Sequence, residues 1–227
     1  MNNLSDDILQ NYTAVLVSGG LDSAILLAEM VEKKIPKVYP IFIRCGLHWE
    51  NTELVYLKKF TNAIKSKNLE NLVILDVPVG DLYKNHWSLT AQNVPDLNTP
   101  DEAVFLPGRN VLLTAKALLW CNLNKVGSLS LGVLESNPFP DATDDFFRNI
   151  TDTVNQSVLG NVKLIRPYAG MHKIDVLKSG MNYPLEYTFS CIRPINDLHC
   201  GKCNKCAERI KGFHQASIKD PTVYHKE

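Results

Sequence analysis

The chain has 227 residues, 45% of them hydrophobic, enough for one large domain or one domain with an appendage. Lysine plus arginine equals aspartate plus glutamate at 24 each, so no overall field gathers nucleic acid, and any anion site must be built locally. No apolar run approaches the ~18 residues of a membrane span, and the opening MNNLSDDILQNY has no basic segment followed by an apolar core, so the sequence reads as cytoplasmic and away from membranes.

In chain order, short aliphatic and β-branched runs at 13–17 (TAVLV), 38–43 (VYPIFI), 72–77 (LVILDV) and 128–133 (SLSLGV) have the character of strands buried on both faces. Between them, 23–34 repeats apolar residues at Ile25, Leu26, Leu27, Met30 and Val31, and 51–65 does so at Leu54, Leu57, Phe60 and Ile64; 110–123 is almost wholly apolar. Strand alternating with helix predicts an α/β fold with a doubly wound parallel sheet. Residues 85–107, with Pro95, Pro100 and Pro107 among Asn and Asp, read as a long irregular loop. From about Tyr187 the character changes, with four of the six cysteines and three of the six histidines falling there. The expected division is therefore an α/β domain over 1–186 and a cysteine-rich subdomain over 187–227, whose nucleotide-binding and metal-binding roles rest on the signals that follow.

The turn after the first strand, SGGLDS, is the first chemical signal. A strand ending at Val17 and a helix beginning near Asp22 put it at the carboxyl edge of the sheet, where doubly wound folds bind ligands. Gly19 and Gly20 let the backbone approach a ligand, and the first helical amides then face an anion such as pyrophosphate. Ser18 and Ser23 add hydroxyls; Asp22 is suited to cap the helix or to help hold magnesium. The turn is neither G-x-x-x-x-G-K-[ST] nor G-x-G-x-x-G. An ordinary turn with a polar N-cap uses the same residue types.

The second signal is C-x8-C-x2-C-x2-C at Cys191, Cys200, Cys203 and Cys206, which suits a closed tetrahedral zinc site of structural type. An iron–sulfur cluster is the rival, although ferredoxin-type runs place the next cysteine at x3 before proline, whereas Cys206 leads into a helix. Of the two remaining cysteines, Cys121 reads as core and Cys45 is left open between core and function.

SGGLDS, PGRN (107–110) and TFSC with HCGKC together resemble the 7-cyano-7-deazaguanine synthase family of the ATP pyrophosphatase (PP-loop) superfamily, over about residues 14–212. The resemblance implies an adenine nucleotide alpha-hydrolase-like, Rossmann-like fold with a C-terminal zinc-binding subdomain. It further implies an ATP-dependent ligase that converts 7-carboxy-7-deazaguanine and ammonia to the nitrile through an acyl adenylate and an amide, in queuosine biosynthesis. The ATP loop carries over onto Leu16, Val17, Ser18, Gly19, Gly20, Leu21, Asp22, Ser23, Ala24, Ile25 and Leu26, with Asp22, Ser23, Arg109 and Lys173 as catalytic candidates. Gly108, Glu135 and Asp141 fall on the substrate side, and the four cysteines on zinc. ATP, magnesium and zinc are the implied cofactors and a homodimer the implied assembly, with no nucleic acid or membrane partner.

Simpler readings stand beside these: Arg109 pairing with a surface carboxylate, Lys173 as a solvated helix residue, Asp144 and Asp145 as helix-start charges, and His48 as a hydrogen-bonded loop residue. The chain also departs from the family. IRCGLHWE stands where an Asp-Tyr-Gly-Gln-Arg-His type stretch is usual; NPFPDAT replaces a longer run ending Tyr-Pro-Asp-Cys-Arg, with Phe139, Ala142 and Thr143 at the changed positions; Ile192 replaces a tyrosine after the first cysteine. These changes leave room for a divergent relative that stops at the amide or joins the activated acid to another amine, one on a protein included. Two further alternatives are a non-catalytic nucleotide-binding module and an RNA-thiolating relative, for which only Cys45 or Cys121 would serve.

Overall fold

The computed structural model describes residues 11–33 and 35–226. The amino-terminal stretch 1–10 and Lys34, the last residue of the expected first helix, lie outside them. Five strands form one parallel sheet: β1 (Thr13–Leu16), β2 (Val38–Arg44), β3 (Val73–Asp76), β4 (Ser128–Leu131) and β5 (Lys163–Ile165), in the order β3-β2-β1-β4-β5. The four strands expected from the sequence are present. The fifth, KLI, is too short to show a period, and its residues Lys163 and Ile165 are exposed at the sheet's edge.

Alternation along the strands divides the core into two layers. Ala14, Ile41, Ile43 and Leu129 face one apolar cluster, while Val15, Val17, Val38 and Phe42 face the other. Helices α1 (Leu21–Glu32) and α2 (Glu50–Ala63) cover the second layer, burying Leu26, Leu27, Leu57 and Phe60. Helices α3 (Arg109–Leu123) and α4 (Asp144–Val158) cover the first with Leu113, Ala117, Leu118 and Phe147. Helices on both faces make the sheet doubly wound, as the alternating pattern predicts.

Strand order sets the place of any site. From β1 the chain winds outward through β2 to β3, then returns to β4 on the opposite side of β1, so the crossovers diverge above the carboxyl ends of β1 and β4. Two loops meet at this switch point: 17–20 after β1 and 132–139 after β4. Gly132 comes so close to the first turn of α1 that a Cβ on it would lie 3.1 Å from the Asp22 carbonyl carbon and oxygen.

Helices α5 (Lys173–Ser179) and α6 (Asn204–Ala216) complete the fold, with Phe213 and Ala216 of α6 buried in the same layer as β1 and α1. The four cysteines of 191–206 belong to the opposite layer. The region 85–107, expected to be irregular, holds one-turn helices at Trp87–Thr90 and Asp101–Val104. It is pinned to the cysteine region by Asn204, whose amide nitrogens donate to Pro95 and Thr99 carbonyls, and by Leu97 N–H bonding to the Lys202 carbonyl. Among the described residues no helix is long and apolar enough to cross a membrane.

Candidate functional site

The glycine turn is shaped by its surroundings. Gly19 has φ +77°, and a Cβ there would meet the Glu53 carbonyl at 3.1 Å and its Cγ at 3.2 Å, so both conformation and space require glycine. Its carbonyl accepts a hydrogen bond from Phe189 N–H at 2.8 Å, which ties the turn to the segment entering the cysteine cluster. Gly20 is the N-cap of α1 and brings no side chain to the first-turn amides, which remain open. Ser18 and Ser23 instead organise the turn: Ser18 N–H donates to Ser23 Oγ at 3.2 Å and Ser23 Oγ donates to the Gly20 carbonyl at 3.3 Å.

Over this turn lie two adjoining hollows of ≈ 260 and ≈ 280 Å³, which share Ser18, Asp22, Arg109, Asn110, Phe139, Lys205 and Glu208. Neither alone but both together reach the ~300–1,000 Å³ of a small-molecule site. One hollow runs under the 132–139 loop between the ends of β1, β2 and β4. The other is flanked by aromatic rings: Trp49 and Trp87 stack at 5.7 Å and 17°, and Phe105 meets Phe139 at 5.1 Å.

Charge is concentrated here despite the neutral chain. Lys173 Nζ donates to Asp22 Oδ2 at 2.7 Å and lies 3.5 Å from Glu208, which Lys205 approaches to 2.6 Å. Burial works against the charge of Lys173, but the Asp22 and Glu208 carboxylates outweigh it and hold the ammonium above the usual lysine range. Burial likewise opposes the charge of Glu208, yet Lys173 and Lys205 bring its carboxyl down to about 2. Lys173 is thus part of a charged chain rather than a solvated helix residue. Two buried atoms in the cleft have no partner: Asp22 Oδ1 and Arg109 Nε. Unpaired polar atoms of this kind are costly unless a ligand meets them.

The sequence-derived candidates separate accordingly. Leu16, Val17, Ser18, Gly20, Leu21, Asp22, Ser23, Arg109, Asp141 and Lys173 line the cleft. Gly19 shapes it from behind. Ala24, Ile25 and Leu26 are core residues of α1 that line neither hollow. Gly108, at φ +74°, is the N-cap that starts α3 and so aims Arg109. Asp141 accepts from Asn110 N–H and Nδ2 at 3.2 Å, fastening the 139–142 turn to the α3 terminus. Glu135 lines neither hollow and lies exposed, 3.5 Å from His172. Asp22 does not cap its helix; it holds Lys173.

Other cleft residues escaped the sequence reading. Glu53 lies on α2, Trp49 is that helix's N-cap and Trp87 belongs to the 85–107 region; Ser190, read from the sequence only as part of TFSC, precedes the cysteines, and Lys205, Glu208 and Arg209 follow them on α6. The signal available for the last three was their position: polar residues in the first turns of a helix that begins at a metal knot. Arg209 is 1% exposed and donates to Ser190 Oγ and the Leu185 carbonyl.

The cysteine cluster itself is closed. The four Sγ atoms lie within 4.8 Å of one another, with Cys191–Cys203 at 3.8 Å and Cys200–Cys206 at 3.9 Å. Four bonds of ~2.3 Å directed tetrahedrally give edges of about 3.8 Å. The spacing therefore fits a single ion; a polynuclear cluster, with metal and sulfide between the thiolates, holds them farther apart. N–H groups of Cys200, Arg193 and Lys202 point at the sulfurs at 3.3–3.4 Å, an arrangement that stabilises thiolate ligands. The other two cysteines are buried thiols: burial pushes Cys121 up to about 12 and Cys45 up to about 11, the latter against the pull of Arg109. Neither is poised as a sulfur-carrying nucleophile.

Residues 13–217 match the family described as queuosine biosynthesis protein QueC. Curated relatives named 7-cyano-7-deazaguanine synthase include that of Nautilia profundicola, 27% identical over 94% of this chain and 98% of the relative. The relative from Persephonella marina is 30% identical over 91% of this chain and 94% of its own length. Among solved structures, one described as a predicted subunit of tRNA methyltransferase from Methanocaldococcus jannaschii is 14% identical, covers 73% of this chain and 72% of that one, and has a TM-score of 0.47, too distant to carry an argument.

Proposed function

The chain belongs to the QueC family of queuosine biosynthesis proteins, and on that premise we propose that it is an ATP-dependent carbon–nitrogen ligase that makes 7-cyano-7-deazaguanine from 7-carboxy-7-deazaguanine and ammonia. The observation that carries the reading is the meeting, at the β1/β4 switch point, of an uncapped helix start with two unpaired buried atoms, Asp22 Oδ1 and Arg109 Nε.

A carboxylate resists ammonia because oxide is a poor leaving group, so it must first be joined to the α-phosphorus of ATP, with pyrophosphate leaving. The α1 amides and the Gly19–Gly20 turn receive the phosphates; Lys173, held by Asp22, and Arg109 balance their charge. The free Asp22 Oδ1 fits a magnesium ion, which supplies neutralisation of the pyrophosphate. Ammonia then displaces AMP to give the amide, and a second activation at the amide oxygen leads to the nitrile. The aromatic hollow offers flat faces to a deazapurine, and the hollow under 132–139 the space for adenosine.

Zinc is the ion whose preferences the closed set of four cysteines matches, and its role is structural. The knot fixes Phe189 and Ser190 on its entry and Lys205, Glu208 and Arg209 on its exit, so that 187–227 is a subdomain that completes the cleft of 1–186. A cytoplasmic homodimer belongs to the same reading.

Incubating the purified protein with ATP, ammonia and the carboxylate is expected to give AMP, pyrophosphate and the nitrile by mass spectrometry. The altered acceptor side, where Phe139 and Ile192 line the aromatic hollow in place of the family's tyrosines, favours one second reading: activation of the same acid for another amine, a protein amine included. AMP without nitrile is its signature.

A further inference from the structure

Ammonia presents itself at neutral pH almost wholly as ammonium, which has no lone pair to attack with, so a ligase using it needs a proton acceptor at the acceptor hollow. Most candidates lining that hollow are already engaged. Asp22 and Glu208 are paired with Lys173, and Asp141 is bonded to Asn110. Two neighbouring groups are engaged too: Glu50 accepts the Cys45 and Gly46 N–H groups at 2.6 and 2.7 Å, and His48 Nε2 is hydrogen-bonded to the Ile192 carbonyl.

Glu53 is different. Its residue is 7% exposed, it lines the hollow, and its Cγ lies against Gly19 of the phosphate turn. No donor among the described residues bonds its carboxylate. We propose that Glu53 takes the proton from incoming ammonium, releasing ammonia beside the activated carboxyl; this rests on the ligase reading above. The charged and titratable groups that face it are Arg109 from α3, Glu50 on its own helix and the Cys45 thiol at the end of β2. Burial pushes the Glu53 carboxyl up to about 8, against the pull of Arg109 and helped by Glu50, so it exchanges a proton with ammonium on more even terms than an ordinary carboxylate. In the step, an N–H bond of ammonium breaks as Glu53 gains the proton. The nitrogen lone pair forms the N–C bond, the C–O bond to AMP breaks with its electrons leaving on AMP, and the excess proton on nitrogen passes to water.

The test is Glu53→Gln in the metal-loaded protein, read three ways: carboxylate-dependent ATP–pyrophosphate exchange, amide formation from ammonium across pH, and hydroxamate formation from hydroxylamine, an amine already neutral at neutral pH. Exchange is expected to stay within about threefold of wild type. Amide formation should fall roughly 10²–10⁴-fold at about pH 7, with the deficit closing toward about pH 9.5 as free ammonia takes over. Hydroxamate formation should remain near wild type. Glu53→Asp, which keeps an ionisable group, is expected to lie between. The proposal is overturned if exchange falls in step with the amide, marking Glu53 as a support for Arg109 or the phosphate turn. It is also overturned if the loss is the same for both amines at every pH. Absence of exchange in the wild type would instead sink the ligase reading, and this proposal with it.

Discussion

The cysteine knot and the cleft lie within a few residues of each other, yet the sulfurs of the one and the polar atoms of the other are treated in opposite ways, although His199 Nδ1 and Asn204 Oδ1 beside the knot are also buried without partners. The knot is finished: four buried sulfurs at 3.8–4.8 Å, each geometry explained by one ion, with backbone N–H groups already turned toward them. The cleft is unfinished, keeping Asp22 Oδ1 and Arg109 Nε buried without partners and Glu53 without a donor. A region that satisfies itself contributes stability, whereas one that waits for a partner spends stability on binding. The two are joined mechanically, because Phe189 N–H holds the Gly19 carbonyl on one side of the knot and α6 delivers Lys205 and Glu208 on the other.

Breaking the closed region should therefore have the largest effect. Cys191→Ser, or a strong chelator applied to the wild type, is expected to remove several kcal/mol, and at roughly 2–4 °C per kcal/mol for a chain of this size the melting temperature should fall by about 10 °C or more. Calorimetry checks this, and activity should disappear with the fold. Lys173→Ala acts next, on the open region. It leaves the half-buried Asp22 without its counter-ion and Glu208 with Lys205 alone, costing about 1–2 kcal/mol, and should abolish pyrophosphate exchange even at temperatures where circular dichroism shows the protein folded.

Glu53 gives a smaller, pH-dependent effect. Its folded pKa, about 8, lies above the ordinary carboxylate value of 4.5, so the fold favours the protonated form. The stability this contributes is complete below 4.5 and is lost as pH rises toward 8, by about 1.4 kcal/mol per pH unit at most. Glu53→Gln should remove that slope, and the variant should gain on the wild type as melts are run from pH 5 to pH 8. At the small end, Arg44→Ala removes an ion pair with Asp76 that is open to water at the sheet's edge, and should change neither melting temperature nor activity measurably.

What the sequence revealed follows the same division. The glycine turn, the cysteine spacing and four of five strands were legible because each is encoded by adjacent residues under one constraint: a positive φ, a tetrahedron, a two-sided core. Glu53, Trp49 and Trp87 were not, because they reach the cleft only through tertiary placement: α2 carries Glu53 against Gly19, and 85–107 is pinned to the knot through Asn204. The HWE stretch was visible, but the residue that matters lies three positions beyond it, one helical turn after Glu50. Lys173 was marked only by the family resemblance, its own sequence surroundings being those of a solvated helix lysine; the fold puts it 2.7 Å from Asp22.

The most direct trial of this account follows oxygen. With the acid labelled by oxygen-18 in its carboxyl group, activation at the α-phosphorus must leave labelled oxygen on AMP. Mass spectrometry should find one heavy oxygen per AMP and none in pyrophosphate. Heavy oxygen released to water or appearing in pyrophosphate, or ADP in place of AMP, would contradict it.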